Sequence, residues 1–448
     1  MLNAYDLVPF VGGNGIDLNG PEPLPLKHLV RLPESKLDLM ADGALDYVLY
    51  RTAPQEVKRA WGKLKIGGRM VFWLPMEAAV NTVKLIGEAG WNWIEHQEDG
   101  KTFLQAFEKR DDLERCEKFW QRPPKSIGVV RHAGYGDLLT VASTFPHLAR
   151  EGYAVTVYTE EPWADVLRND PNVARIITGS LGMVGITELP KFWAHEAEKH
   201  DRFLNFSHSV EATLLHREDQ VSATWSTQAR HRVSTANYLE LAHDIAEVPH
   251  QFRQGFYATD DEKQAAAEIR HGMKRVVVIA DTGTGCNKWW PYAGDLALAI
   301  VTARADVTVF VFGTVRTRYP EHDRITVIGK DWSFRQAAAF AQAADVVIGQ
   351  ETGLLNAVAM WGNTKIVLLS HSTPENLTKH WVNAIPLAAQ GVSCYPCHIL
   401  HQSWAYCDQD VETKAARCQA EISRDEVMAC VLEQLAIRDQ FHGIAAAA

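Results

Sequence analysis

Short runs of apolar residues alternate along the chain with stretches that have the spacing of amphipathic helices. The apolar runs lie at residues 46–50, 70–73, 102–107, 127–130, 154–158, 275–280, 307–312, 345–348 and 365–369. Helical stretches are predicted at residues 55–64, 138–150, 260–271 and 424–435. Strands that alternate with helices are typical of layered α/β folds, and a strand buried on both faces reads as a continuous apolar run. The pattern therefore predicts an α/β protein with parallel sheets.

Breaks in this pattern divide the chain into three parts, a linker and a tail. Residues 1–110 form a first block, and residues 111–125 are predicted to be a linker because they are charged and end in two prolines. Two α/β halves follow, at residues 126–258 and 259–437, and residues 438–448 form the tail. Three domains also fit a length of 448 residues at roughly 150 residues per domain.

Composition and charge exclude several classes of protein. The formal charge of 45 − 55 = −10 argues against bulk electrostatic binding of nucleic acid. No apolar run approaches the roughly 20 residues that span a bilayer. Residues 1–10 lack the basic segment that begins a secretory signal. We therefore expect a cytoplasmic protein with no membrane span, and its assembly into a homo-oligomer is left open.

The first candidate for chemistry is a glycine-rich loop between a strand and a helix. It runs from Arg131 to Asp137 and contains Gly134 and Gly136. Two glycines permit a tight turn and a close backbone approach, and the N-terminus of the following helix suits an anion. Asp137 is either a simple helix cap or a functional carboxylate, and the spacing alone leaves both interpretations open.

A second loop, from Asp281 to Pro291, also follows an apolar strand. Its small residues Thr282 and Gly283 would let a diphosphate reach backbone N–H groups, and Lys288 could supply a positive charge. A plain polar surface loop with a solvated lysine is the alternative.

A third loop carries Glu351, Thr352 and Gly353 between a strand and a helix. Glu351 would lie near the positive end of the helix dipole, and the next two residues would offer free backbone N–H groups. In open α/β sheets, ligands bind beyond the carboxyl ends of the strands. Since all three loops lie at such ends, their common placement favours a binding role.

Four cysteines lie within 25 residues near the C-terminus: Cys394, Cys397, Cys407 and Cys418. The first two have the CxxC spacing that chelates one ion from a tight turn, and four thiolates suit Zn²⁺ or iron. His398 and His401 could replace a thiolate, and four unlinked thiols are the alternative. Because no open coordination position is expected, the metal held by segment 394–418 would be structural. Three other cysteines are not expected to belong to the site: Cys116, Cys286 and Cys430.

Together the three loops resemble glycosyltransferase family 9, whose best-known members are the ADP-heptose:lipopolysaccharide heptosyltransferases. The resemblance covers about residues 125–437, and the cysteine segment is also similar to that of autotransporter heptosyltransferases, which carry a cysteine-bound iron. It implies a GT-B fold of two Rossmann-like domains, acceptor-side over residues 126–258 and nucleotide-sugar-binding over 259–437. It also implies transfer of a heptose-type sugar, with inversion, from a nucleotide diphosphate such as ADP-heptose to a hydroxyl of a glycan or protein.

The resemblance further implies a role for each loop. Asp137 resembles the general base that deprotonates the acceptor hydroxyl. Lys288 resembles the lysine that neutralises the donor phosphates. Glu351 lies where the family has an aspartate that contacts the sugar hydroxyls. The predicted donor-binding residues are Gly134, Gly136, Thr282, Gly283, Lys288, Glu351, Thr352 and Gly353.

Three departures from the family pattern leave the sugar and the activity open. Glu351 replaces the usual aspartate, Asn356 stands where histidine is common, and Asp281-Thr282-Gly283 replaces the more usual His-Pro-Gly. The alternative is a non-catalytic binding or assembly protein that kept the folds.

The first block is similar to the second half of a class I methyltransferase. The segments that carry this likeness are Asp46–Tyr50, Leu64–Gly68 and Val71–Pro75. No strand, GxGxG loop and helix precede them, and Gly12–Asp17 is at most a compressed remnant with Asp17 near a ribose position. We therefore expect a small, incomplete Rossmann-like domain used for packing or assembly. Binding of S-adenosylmethionine, and with it an active methyltransferase, is not expected.

Overall fold

A computed structural model describes most of the chain, as two compact units. Unit 1 comprises Met1–Val129, Tyr153–Ala164 and Arg175–Phe203, and unit 2 comprises Val130–Gly152, Asp165–Ala174 and Leu204–Ala448. Residues 126–258 are thus divided between the units, and the predicted domain bounds stay a prediction. The residues described are 2–447 except 19, 21–23, 25, 27–28, 53–56, 77–90, 110–115, 118–124, 133, 162, 180–183, 186, 208, 210–214, 219, 254, 282, 314–318 and 330.

The strands are β1 Gly15–Leu18, β2 Val30–Leu32, β3 Leu45–Tyr50, β4 Leu64–Pro75, β5 Trp91–Glu98, β6 Thr102–Lys109, β7 Cys116–Glu117, β8 Ser126–Val130, β9 Ala154–Thr159, β10 Val173–Thr178, β11 Arg202–Asn205, β12 His216–Arg217, β13 Arg275–Ala280, β14 Val307–Phe312, β15 Ile325–Gly329, β16 Val346–Gln350, β17 Thr364–Leu368, β18 Ala384–Leu387 and β19 Ile399–Leu400. The α-helices are α1 Val57–Lys63, α2 Tyr135–Ala142, α3 Phe145–Arg150, α4 Leu189–Ala197, α5 Thr227–Val233, α6 Tyr238–Ala246, α7 Asp260–Arg270, α8 Ala293–Ala303, α9 Phe334–Ala343, α10 Gly353–Val358, α11 Arg417–Ala420 and α12 Arg424–Ala447.

Unit 1 is built on two sheets. The larger has seven strands in the order β2-β1-β3-β4-β6-β5-β7. The strands from β2 to β4 pair in parallel, and β6 runs antiparallel to both of its neighbours. The smaller sheet has the order β10-β9-β8-β11. The predicted strand at residues 127–130 therefore lies beside the one at 154–158, as expected for a βαβ unit.

Unit 2 contains a six-stranded sheet in the order β15-β14-β13-β16-β17-β18, and every pair in it is parallel. Its central strand β13 is buried along its whole length. This explains the continuous apolar run at residues 275–280, because helices cover both faces of a parallel sheet. The prediction of an α/β fold with parallel sheets is confirmed.

Two helices of unit 2 begin at capping boxes that fix where the chain turns helical. Thr259 and Glu262 bond each other's backbone N–H groups at the start of α7, and Ser333 and Gln336 do so at the start of α9. Such reciprocal bonds satisfy two of the four N–H groups that a helix N-terminus leaves without partners.

The structure differs from the predicted elements at three places. The helix predicted at residues 138–150 is two helices, α2 and α3, because Pro146 has no backbone N–H to donate within a continuous helix. The Gly67-Gly68 pair is typical of a turn between separate elements, but both glycines lie inside β4, where Gly67 has φ +78°. Helix α12 continues through the predicted tail, and Asp439 there pairs with Arg275 at 2.7 Å. The predicted linker lies largely outside the described residues.

One apolar core joins the first block to a segment much later in the chain. Phe192 of α4 meets Tyr5 edge to face, with ring centroids 5.8 Å apart. The buried members of this core, which we call the shared core, are Leu7, Val8, Phe10, Val11, Leu26, Tyr47, Leu49, Val71, Leu104, Ala106, Val184 and Phe192. The first block is therefore an integral part of unit 1.

An ion-pair network lies beside the shared core. Asp6 and Glu196 are both buried, and the Lys199 ammonium bonds Asp6 Oδ1 at 2.5 Å and Glu196 Oε1 at 2.8 Å. His195 Nε2 lies 2.8 Å from the same Asp6 oxygen. Burial alone would raise the pKa of Asp6, but His195 and Lys199 outweigh it and hold that pKa below its usual range. Among the described residues, Asp6, His195 and Glu196 also bring three possible metal ligands within 4.8 Å of one another. The ammonium of Lys199 already supplies a positive charge to the two carboxylates, Asp6 and Glu196.

Lys365 in β17 is fully buried, and its Nζ donates to the carbonyls of Trp361 and Asn363 at 2.6 and 2.8 Å. Burial, reinforced by the charge of Arg438, lowers the pKa of Lys365 from 10.5 to about 7. The unfolded chain therefore binds more protons between these two values, so stability rises as the pH rises through this window. We expect the Tm of the wild type, minus that of Lys365→Met, to increase between pH 7 and pH 10. The corresponding gain in the free energy of unfolding is at most about 4 kcal/mol, at 1.36 kcal/mol per pKa unit. A constant difference across this range would contradict the expectation.

Within the described part of the chain, no helix combines the length and the apolar character needed to cross a membrane.

Candidate functional site

The loop before α2 holds Asp137 in a defined position. Gly134 has φ +70°, a conformation that favours glycine, and a Cβ atom there would collide with Oδ2 of Asp137. Helix α2 begins at Tyr135, so Asp137 lies in its first turn and is not the cap residue. The buried guanidinium of Arg131 lies 3.2 Å from Oδ2 of Asp137, whose side chain is 34% exposed. Asp137 is thus an accessible carboxylate held by an arginine.

The start of α2 lies against the start of α10. A Cβ atom on Gly353 would lie 2.7 Å from the Cβ of Tyr135 and 3.4 Å from the backbone nitrogen of Gly136. A Cβ atom on Gly136 would lie 2.9 Å from Nδ2 of Asn356. The ring of Tyr135 also stacks on Phe334, with centroids 3.9 Å apart. Glycine is therefore needed at position 353 for the first and third loops to meet, whereas a side chain at position 136 would displace only the end of the Asn356 side chain.

Lys288 joins the second loop to the third. It ends a short 3-10 turn, Cys286–Lys288, and its Nζ donates to the carbonyl of Glu351 at 2.7 Å. Gly283 lies against it, because a Cβ atom on Gly283 would approach the Cβ of Lys288 to 2.5 Å. Thr282 lies outside the described residues. The second and third loops thus meet beyond the carboxyl ends of β13 and β16.

Thr352 is the residue before α10, and its side chain does not cap the helix. Its hydroxyl is buried and has no hydrogen-bond partner among the described residues. A buried polar atom of this kind calls for an explanation, and a ligand oxygen would supply its partner.

The carboxylate of Glu351 is buried and bound by the loop that follows β17. Oε1 accepts from Ser370 N at 3.0 Å, from Ser372 N at 3.3 Å and from Ser372 Oγ at 2.8 Å. Oε2 accepts from Ser370 Oγ at 3.3 Å and lies 2.7 Å from Nε2 of His371. Burial alone would raise the pKa of Glu351, but His371, Lys288 and the Ser370 N–H outweigh it and hold that pKa well below its usual range.

Ser370, His371 and Ser372 were not among the residues predicted from the sequence. They lack the glycine-rich pattern of the other loops. Their position directly after the apolar strand at residues 365–369 is the signal that could have identified them, since ligands bind at such strand ends.

The four predicted metal ligands cluster in unit 2. Burial raises the pKa of the Cys397 thiol to about 12. Burial, and then the charges of Cys397, Cys407 and Cys394, raise the pKa of Cys418 well above its usual value. His401 Nε2 lies 3.7 Å from the sulfur of Cys397. Among the described residues, however, no three of the cysteine sulfurs come within 4.8 Å of one another. The six cysteines with described side chains are all free.

Cys286, which is not expected to belong to the metal site, lies beside Cys407 of this cluster. Its thiol donates to the carbonyl of Ser403 at 3.1 Å, and it lies close enough to Cys407 to add to the rise that burial causes in the pKa of that thiol. The backbone N–H of Cys286 donates to the carbonyl of His401 at 2.9 Å. Cys430 lies on α12 and packs against the core of the six-stranded sheet, as expected of a residue outside the cluster.

The cysteine segment contacts two loops of the candidate site, the Lys288 loop and the loop that follows β17. It holds the Lys288 loop through the Cys286 bonds just described. It also holds the loop after β17, because Tyr395 donates to the carbonyl of Ser372 at 2.8 Å and the His398 N–H donates to that of His371 at 2.9 Å. Cys418 Sγ donates to the carbonyl of Ser370 at 3.4 Å.

No protein-family model and no curated protein matches the chain. Solved structures do match. A glycosyltransferase family 9 protein from Veillonella parvula is 14% identical, with a TM-score of 0.50, over 71% of this chain and 99% of that one. ADP-heptose lipopolysaccharide heptosyltransferase II of E. coli is 15% identical, with a TM-score of 0.48, over 70% and 99%. The iron-containing dodecameric glycosyltransferase TibC of enterotoxigenic E. coli is 12% identical, with a TM-score of 0.46, over 70% and 76%. The likeness to the Veillonella structure confirms the predicted fold: the chain has the α/β architecture of a GT-B glycosyltransferase.

Proposed function

We propose that the protein is an inverting glycosyltransferase of the cytoplasm. It would move a heptose-type sugar from a nucleoside diphosphate donor to a hydroxyl of a glycan or protein. The observation that carries this proposal is the contact between Gly136 and Gly353, which brings the loop of Asp137 against the turn that Lys288 also reaches. A loop with a carboxylate and a loop with a cation, both meeting one glycine-containing turn, supply the groups that sugar transfer from a diphosphate requires.

The proposed mechanism is a single displacement. Asp137 is accessible and is oriented by Arg131, so it can take the proton of the acceptor hydroxyl as that oxygen attacks the anomeric carbon. The bond to the diphosphate breaks on the opposite face, and negative charge develops on the leaving phosphate. Lys288 and the backbone N–H groups of Thr352 and Gly353 would stabilise that charge. Attack opposite to the leaving group inverts the anomeric carbon.

Thermal stabilisation by a panel of nucleotide sugars tests the proposal. A ligand that binds only the folded state stabilises it by about 2.7 kcal/mol at 100 times its Kd. We expect at least one ADP-, UDP- or GDP-linked sugar to raise the Tm of the wild type, with an ADP-linked heptose the strongest. Mannitol and free heptose serve as controls for nonspecific effects. A panel that leaves the Tm unchanged would favour the alternative, a non-catalytic binding or assembly protein.

We also propose a structural Zn or Fe ion at the cysteine segment. The donor chemistry fits, because Cys394, Cys397, Cys407 and Cys418 are all free thiols, and the first three lie close enough to Cys418 to raise its pKa. Bound there, the ion would crosslink the segment and so hold the two loops that the segment contacts. It would take no part in the reaction.

For the first block we propose a packing role without S-adenosylmethionine. Its residues supply most of the shared core of unit 1. Asp17, the carboxylate nearest to a ribose-binding position, is fully buried and pairs with Arg51 at 2.5 Å. That ion pair occupies the side chain that a ribose would need.

A further inference from the structure

The role of Glu351 differs from the one that its place in the third loop implies. A carboxylate has about four lone-pair sites on its two oxygens. Four hydrogen bonds and the ion pair with His371 already reach the two oxygens of Glu351, and the side chain is 4% exposed. No acceptor capacity is left for a sugar hydroxyl.

The same residue connects three parts of the candidate site. Its carboxylate holds the loop from Ser370 to Ser372, and its carbonyl oxygen receives the Lys288 ammonium at 2.7 Å. The next residue, Thr352, begins the turn into α10. Strands β16 and β17 are neighbours in the sheet, about 4.8 Å apart. Glutamate, one methylene longer than aspartate, has the length to cross from the end of one strand to the loop after the other.

We propose that Glu351 and His371 are a positioning pair for the donor diphosphate and do not contact the sugar. Through the pair, the Lys288 ammonium and the Thr352–Gly353 turn are held at the spacing that a diphosphate spans. This inference rests on the proposed function, and it assigns Glu351 to the diphosphate part of the donor.

The inference predicts which part of the donor loses affinity when the pair is broken. Glu351→Gln keeps the size of the side chain and removes the charge that pairs with His371. A residue that contacts the sugar would affect the nucleotide sugar alone, whereas a residue that positions Lys288 would affect the free nucleoside diphosphate as well.

The experiment is a calorimetric titration with two probes: the nucleotide sugar that stabilises the wild type, and the corresponding free nucleoside diphosphate. In Glu351→Gln we expect both Kd values to rise by the same factor, about tenfold or more. The reason is that the Lys288 ammonium would no longer be held in place for its charged hydrogen bond to the diphosphate. His371→Gln should give the same parallel loss. The inference is overturned if the free diphosphate binds Glu351→Gln as tightly as the wild type while the nucleotide sugar binds less tightly.

Two variants complete the design. Glu240→Gln is the matched control, because Glu240 also pairs with a histidine, His380, at 2.6 Å, and lies outside the loops of the site. It should leave both Kd values unchanged. If Glu351→Gln fails to fold, Ser372→Ala removes only the 2.8 Å hydrogen bond to Oε1. It should weaken both probes in parallel by a smaller factor, and an effect on the nucleotide sugar alone would again overturn the inference.

A readout without a ligand separates this inference from the proposed function. Acetylation of Lys288 by acetic anhydride, followed by mass spectrometry, should be several-fold faster in Glu351→Gln than in the wild type. An unchanged rate would contradict the positioning role. A faster rate together with a wild type that binds no probe would instead show that the pair positions Lys288 and that the proposed donor is wrong.

Discussion

Asp137→Asn is expected to lower the rate of sugar transfer by about 10²- to 10⁴-fold, the range that a positioned general base contributes. The amide cannot accept the proton of the acceptor hydroxyl, so the attacking oxygen keeps it through the displacement. The Kd of the donor should stay within a factor of about three, because the loss falls on the transition state alone. The measurements are the release of nucleoside diphosphate with a glycan acceptor mixture and the donor titration described above.

Asparagine is preferred to alanine at this position because Arg131 is buried. Alanine would leave that guanidinium without the carboxylate that faces it, and an uncompensated buried charge costs about 3–5 kcal/mol. The amide oxygen of asparagine can still accept from Arg131. The control is Asp295→Asn, which changes an exposed acid in the first turn of α8. Wild-type turnover in Asp137→Asn would refute the assignment of the base.

Cys418→Ser is expected to release the metal and to destabilise the protein. Elemental analysis of the purified wild type should give about one Zn or Fe per chain, and the variant should retain less than a tenth of this. An ion present at 1,000 times its Kd stabilises the folded state by about 4 kcal/mol. With about 2 °C of Tm per kcal/mol in a large domain, its loss should lower the Tm by about 8 °C. A chelator should lower the Tm of the wild type by a similar amount.

Cys430→Ser is the control for this experiment, since Cys430 is a partly buried thiol outside the cluster. It should keep the full metal content. Cys286→Ser is informative as well: Cys286 contacts Cys407 without belonging to the predicted ligand set, so it should keep the metal while loosening the Lys288 loop. A wild type that is folded, free of metal and indifferent to the chelator would rule out the metal site.

The fold could be predicted largely because its central strands are apolar on both faces. The predicted strand at residues 275–280 is β13 without change, and the one at 345–348 is β16 shifted by one to two residues. The break between α2 and α3 was missed because the apolar spacing of a helix continues across it. Helix α2 ends because Pro146 has no N–H to donate, and this local effect leaves the apolar spacing unchanged.

Within the candidate site, the sequence signal is most direct where the backbone requires one residue type. Gly134, with φ +70°, and Gly353, against the Cβ of Tyr135, both lie where the backbone needs glycine. The partners of Glu351 were missed because serine and histidine have no such requirement, and only the pairing of β16 with β17 brings them near. The contact of Cys286 with Cys407 was missed for the same reason: no local pattern connects two residues that meet through the tertiary structure.

The shared core also constrains how the chain can fold during synthesis. Val184 and Phe192 complete a core that otherwise comes from the first 106 residues. While the ribosome extends the chain from residue 106 to residue 192, the shared core lacks the part that Val184 and Phe192 supply. At about 5–20 residues per second this interval lasts roughly 4 to 17 seconds. The nascent first block is therefore a natural substrate for a chaperone that binds exposed apolar strands, and substitutions in α4 should affect the yield of folded protein before they affect its activity.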